Sequence, residues 1–275
     1  MGAMSTTAQP PKPTRRWCRF SLKTLLIVMT VAIVAFGVWV QYMRQRAQEN
    51  RERVAAVQKA KAAIEELGGT VASTYEKRRT QTWLEKQLDD PGGADDPVGF
   101  LKIVEVQLYW SDKTTANDLE HLKLMKDLNA LHLSHTPVTD AGLEHLKGLT
   151  NLGHLGLSFT KVTDAGLEHL QGLTKLSALG LEHTKVTGAG LEHLKELPQL
   201  RNLFLSYTDV ADTEHLGGLT NLEYLMLDNT RVTDAGLEHL DGLTNLQRLY
   251  LSDTNVTDAG VAKLQQALPN CEIFH

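Results

Sequence analysis

Residues 152–175 read LGHLGLSFTKVTDAGLEHLQGLTK. The first nine alternate like a strand buried on one face, with Leu155 and Leu157 inward and His154 and Gly156 outward. The other fifteen supply a core valine, Val162, and a Thr-Asp pair suited to cap a short helix. Leu167 and Leu170 then return to the core at i, i+3. So small a strand-and-helix unit cannot bury its apolar sides alone and has to stack on copies of itself. The copies are present. Units start at Leu128, Leu152, Leu176, Leu200, Leu222 and Leu246, spaced by 24, 24, 24, 22 and 24 residues. A divergent first copy begins at Ile103 and a truncated last one at Cys271.

The template LxxLxLxxT followed by xVTDAGLEHLxGLTN resembles the leucine-rich repeat family, in its TDAGL form, over residues 101–275. The resemblance implies an α/β solenoid with parallel strands on the concave face and short helices on the convex face. Thr136, Thr160, Thr184, Thr208, Thr230 and Thr254 stand where the family has Asn or Cys, and are expected to bond the neighbouring repeat's backbone. Two units depart from the template. Gly188 replaces the capping Asp, and TDVADTEHL (208–216) is two residues short, with Thr213 in a leucine position. These neighbouring defects mark the expected weak point of the solenoid.

The recurring Glu-His pair invites a metal or acid–base reading. The helix histidines are His121, His145, His169, His193, His215 and His239. On the helical side, repeats lie about 8–10 Å apart. Ligands of one zinc ion sit only about 2 Å from it, so such a column does not converge. Solvated outer-face residues are the better reading. No P-loop, GxSxG, HExxH or GxGxxG is present, and neither Cys18 nor Cys271 has a base partner in view. The chain therefore reads as no enzyme, with no cofactor and no metal. A weak metal site from His132, His135 and His154 is a minor alternative.

The N-terminal part is different in kind. Residues 1–62 carry eleven Lys and Arg against Glu49 and Glu52, a balance of +9 in a chain of net charge −5, so residues 63–275 carry −14. An acidic body argues against nucleic acid, whose phosphates need clustered bases. Residues 1–20 form a basic tail. Residues 21–43, SLKTLLIVMTVAIVAFGVWVQYM, are uncharged from Leu25 to Val40 and long enough for a membrane-spanning helix. A cleaved signal peptide ending near Ala35 or Gly37 is the competing reading. Five bases before the span against four after it favour a cytoplasmic N-terminus, with the repeats outside the cytoplasm. Residues 44–69 are expected to form a helical stalk with a stripe of Val54, Val57, Ile64 and Leu67, too short for a dimerising coiled coil. Residues 70–100 are expected to cap the first repeat and include the acidic loop DDPGGADDP (89–97), which lacks EF-hand spacing. The SLKTLL anchor and AIEELGG element also resemble bacterial single-pass membrane-anchored repeat proteins of unassigned function.

Function is expected on the strand face, where outward residues change from copy to copy. Eighth positions give Trp110, His135, Phe159, His183 and Tyr207. Fifth positions give His132, Phe204, Met226 and Tyr250, and third positions His154, Tyr224 and Arg248. These are residue types enriched where proteins bind partners. Gly156 and Gly180 would leave a shallow dip between them. The expected function is non-catalytic binding of a protein or glycan by a monomeric, membrane-anchored module. A structural envelope scaffold and a regulatory subunit of a separate enzyme are the alternatives.

Overall fold

The computed structural model describes residues 22–75, 101–109, 114–115 and 117–275. The chain divides into two compact units, Met1–Glu49 and Asn50–His275. Helix α1 (Leu22–Glu66) covers both the apolar run and the charged segment after it. In its apolar part Leu26, Val31, Ile33, Val34 and Phe36 are all exposed, at 58–65%. Successive residues on a helix turn by about 100°, so these exposed side chains point in every direction around the axis. Among the described residues no helix is long and apolar enough to cross a membrane. The side chains of residues 22–25, 27 and 28, which belong to the apolar run, lie outside that description. The proposed acidic loop (89–97) and Cys18 also lie outside it.

The second unit is a nine-stranded sheet in chain order. Strand β1 (Thr70–Tyr75) runs antiparallel to β2 (Leu101–Gln107). From β2 onward every pairing is parallel, through β3 (Ala130–His132), β4 (His154–Gly156), β5 (Ala178–Gly180), β6 (Asn202–Phe204), β7 (Tyr224–Met226), β8 (Arg248–Tyr250) and β9 (Glu272–Phe274). Equivalent residues pair across successive repeats, so Leu131 faces Leu155 and Leu155 faces Leu179. Identical side chains thereby stack into continuous core columns, which is why near-identical units suffice.

The core follows the template. In the unit from Leu152, residues Leu152, Leu155, Leu157, Val162, Leu167, Leu170 and Leu173 are all buried. Leu173, from the GLT segment, belongs to the core alongside the two helix leucines. The helical side is shorter than a regular helix. One α-turn, α2 (Asp140–Leu143), α3 (Asp164–Leu167) or α4 (Asp234–Leu237), is followed by a single 3-10 turn. Only α5 (Asp258–Ala267) extends to ten residues. At the N-terminal end of this unit, Ala60 and Ile64 of α1 are buried in the same core, with Val57, Leu67 and Val71 packed against it.

Two expected hydrogen-bond roles turn out differently. The buried ladder threonines do not reach the next repeat. Thr136, Thr160, Thr184, Thr208 and Thr230 each donate to the carbonyl three residues back in their own unit, at 2.5–2.6 Å. The next repeat's carbonyl is already taken by a main-chain donor, as when Phe159 N–H donates to Glu182. Nor do Thr139, Thr163 and Thr233 cap their own helices. Thr163 instead gives both its N–H and its hydroxyl to Asp140 of the preceding unit, at 2.8 and 2.7 Å. At Thr257 the hydroxyl does both, donating to the Asp234 carboxylate at 2.7 Å and accepting the Gly260 N–H at 3.2 Å as a helix cap. A second cross-repeat ladder comes from the Asn of GLTN: Asn151, Asn221 and Asn245 donate to carbonyls of the preceding unit.

Candidate functional site

The proposed binding residues separate into two groups. Third and fifth positions lie on the strands and share one face of the sheet. His132, Phe204, Met226 and Tyr250 are half-buried there, as is Tyr224, while His154 and Arg248 are exposed. The eighth positions are not on the strands. His135, Phe159, His183, Tyr207, Asn229 and Asp253 all adopt a left-handed backbone, with φ between 52° and 59°. Such a conformation costs a residue with a Cβ roughly 1–2 kcal/mol, and Asn and Asp tolerate it best. Four of the six are rings, and the rings stack. Centroids are 4.1 Å apart for His135–Phe159, 4.0 Å for Phe159–His183 and 4.2 Å for His183–Tyr207, with planes within 18° of parallel. Each aromatic pair contributes about 0.5–1.5 kcal/mol beyond its buried area, which offsets the backbone cost. The stacked faces cover one another, so the ladder offers solvent mainly ring edges. Trp110 lies outside the described residues.

On the strands the polarity changes along the sheet. At the N-terminal end His132 Nε2 lies 3.5 Å from Glu105 Oε1, which also accepts from Gln107 at 2.6 Å. Burial holds the His132 pKa below its usual value, against the opposing pull of Glu105. His135 is committed to the ring ladder, so His132, His135 and His154 are not gathered at one point. Among the described residues no group of three or more His, Cys, Asp or Glu could hold a metal ion. Gly156 and Gly180 do pair side by side. The dip they leave is bridged from the seventh position, where Ser158 Oγ donates to the Glu182 carboxylate. A Cβ on Gly180 would lie 3.1 Å from that hydroxyl and 3.4 Å from Glu182 Oε2.

The C-terminal half carries the bulk. Phe204, Met226, Tyr250 and Phe274 form one column, with Tyr250 and Phe274 stacked at 4.6 Å. Beside them Arg248 lies 5.6 Å over the Tyr224 ring and pairs with Glu272 at 3.1 Å. The seventh position is a further column, Ser134, Ser158, Glu182, Ser206, Asp228 and Ser252, which the sequence reading passed over. Its signal was there: positions three, five and seven fall on one face by simple alternation, and the seventh also varies between copies.

On the opposite face the Glu-His pair splits. Glu144, Glu168, Glu192, Glu214 and Glu238 are exposed, as expected, and so is His239, but His121, His145, His169, His193 and His215 are half-buried. His145 and His169 bury Nδ1 without a hydrogen-bond partner, and His193 Nδ1 meets Gln171 Nε2 at 3.1 Å. These histidines pack along the convex side rather than standing free in solvent. Near the C-terminal end, burial pushes the Cys271 thiol up to about 11.

The leucine-rich repeat family model matches residues 124–147 and 242–264. No curated protein sequence is significantly similar to the chain. Among solved structures, an internalin C2 from Listeria monocytogenes is 28% identical, with a TM-score of 0.53 over 62% of this chain and 70% of that one. A leucine-rich repeat protein of Leptospira interrogans is 24% identical, with a TM-score of 0.50 over 56% of this chain and 39% of that one. Parallel strands in one-to-one register, leucine columns and the two matched repeats agree on the leucine-rich repeat fold.

Proposed function

We propose that this chain is a non-catalytic, membrane-anchored binding module that engages a protein through the face formed by its strands. A leucine-rich repeat is a scaffold for protein binding, and one contrast carries the reading further. The core leucines and the TDAGL brackets repeat almost unchanged, while the outward columns run from His132 and His154 through the paired glycines to Phe204, Tyr224, Met226, Arg248 and Tyr250. Stacking requires only that core and brackets be kept. Variation in large and aromatic side chains on that accessible face leaves it free to specify a ligand. Anchoring rests on the apolar run of residues 21–43 and on α1 side chains exposed on all sides, a pattern that suits lipid better than water. Five bases before the span against four after it favour the repeats lying outside the cytoplasm.

The test is crosslinking in native membranes, comparing the wild-type chain with a Phe204→Ala/Tyr224→Ala/Tyr250→Ala variant. A discrete partner captured by the wild type and lost from the variant supports the reading. Equal capture by both refutes the face. Absence of any discrete partner points instead to a structural envelope scaffold, and a partner carrying catalytic motifs makes the chain a regulatory subunit.

A further inference from the structure

We infer that the centre and C-terminal half of the strand face accept a cationic, arginine-bearing peptide segment of the partner protein. The inference rests on the binding reading above and adds the chemistry of the ligand. Glu182 and Asp228 sit at the seventh position, between the strand column of Phe204 and Met226 and the ring ladder that ends at His183 and Tyr207. Both carboxylates are held in place from within the protein. Glu182 accepts from Ser158, and Asp228 accepts from Ser206 Oγ at 3.2 Å and from Ser252 N–H at 3.0 Å.

Such hydrogen bonds fix the carboxylates without neutralising them. No Lys or Arg ion pair to either is found among the described residues, whereas Glu272 and Glu223 are paired with Arg248 and Arg201. Across the third, fifth, seventh and eighth positions from β2 to β9 the acids are Glu105, Glu182, Asp228, Asp253 and Glu272, against one arginine, Arg248, and four histidines, His132, His135, His154 and His183. The face is therefore acidic, with its two fixed charges flanked by aromatic and thioether side chains.

A guanidinium suits this setting better than an ammonium. It is planar, more weakly hydrated, packs against aromatic groups and bonds carboxylates in a fork. Arg248 over Tyr224 already shows that arrangement inside the protein. An anionic ligand would meet repulsion here, and a neutral glycan would leave the charges unanswered. The stacked rings also give a sugar few free faces to lie on.

The probe is a fluorescein-labelled heptapeptide bearing three arginines and one tyrosine, titrated into the full-length chain in detergent at low salt. Counterparts with glutamine or glutamate in place of arginine serve as controls. Expected are saturable binding of the arginine peptide, at least tenfold weaker binding of the glutamine version, and an affinity that falls as salt rises. Glu182→Gln/Asp228→Asn keeps the acceptor oxygens and removes the charge, and should weaken the arginine peptide at least fivefold with the melting temperature unchanged. A conservative Glu182→Asp variant should retain most of the affinity. Equal binding of the neutral peptide, no saturable binding, or full affinity in the double variant would overturn the inference. If crosslinking still captures a partner through the face while the peptide fails, only the ligand chemistry falls; if the alanine variant captures its partner undiminished, the face itself falls.

Discussion

Two kinds of junction hold these repeats together. At the regular ones, the carboxylates of Asp140, Asp164 and Asp234 take the N–H and hydroxyl of Thr163, Thr187 and Thr257, at 2.6–2.8 Å. Each carboxylate also fills the space where a Cβ on Gly166, Gly190 or Gly260 would stand. TDAGL is thus one bracket shared by two units, its Asp belonging to the next unit's Thr and Gly. Between the units from Leu176 and Leu200 the bracket is missing, because Gly188 replaces the Asp. There the shortened chain moves in: a Cβ on Gly188 would lie 2.6 Å from the Asp212 carbonyl oxygen. One junction further, buried Thr213 donates to the Gly236 carbonyl at 2.5 Å, standing 3.4 Å from where a Cβ of that glycine would be. The missing side chain and the missing residues compensate each other. A departure that looks like a defect in one unit is half of a fit between two.

The comparison breaks most visibly at Gly188. Restoring the template with Gly188→Asp should destabilise the domain by about 2 kcal/mol, since the new side chain meets backbone that cannot step aside. A neutral or raised denaturant midpoint would show that the two departures are independent. Asp164→Ala should cost less, roughly 1–2 kcal/mol, by leaving the Thr187 N–H and hydroxyl without their acceptor. Its midpoint is measured beside that of Gly188→Asp, and the order of the two is the informative result. Thr213→Val keeps the shape and removes one hydrogen bond, for about 1 kcal/mol. Hydrogen exchange should then quicken around residues 208–216 and stay unchanged around residues 160–170. In the wild type, protection across the short unit should equal that of the unit from Leu152. Markedly faster exchange there would restore the expectation of a weak point.

Much of this was legible in the residues. Period, register, core leucines and the strand face all follow from where leucine recurs, because alternation on a strand and i, i+3 return on a helix are properties of one unit. What escaped involves two units at once. Asp164 reads as a cap for its own helix until the next unit's Thr187 is placed beside it. Gly188 reads as a lost cap until Asp212 is seen against it. The left-handed turn at Phe159 and His183 was hidden for a related reason: bulky rings are poor signals for that backbone, and only stacking along the column makes them suitable. Glu182 and Asp228 were missed more simply. The alternation that exposed positions three and five was not carried on to seven.

The smallest expected effect separates the junctions by chemistry rather than by strength. The Thr257 N–H and then its hydroxyl hold the Asp234 carboxyl below the usual carboxylate range. A folded pKa below the unfolded one means that the unfolded chain binds more protons through that window. The contribution of Asp234 is therefore complete at neutral pH and is lost as pH falls through the folded value. Asp234→Asn should melt below the wild type at pH 7, and the gap should narrow as pH drops past about 4, where an ordinary aspartate begins to take up its proton. The gap for Thr213→Val should not narrow with it, because a hydroxyl on a carbonyl has no charge to lose. If both gaps respond alike to acid, the Asp bracket draws nothing from its charge, and the two junctions differ only in which atoms fill the space.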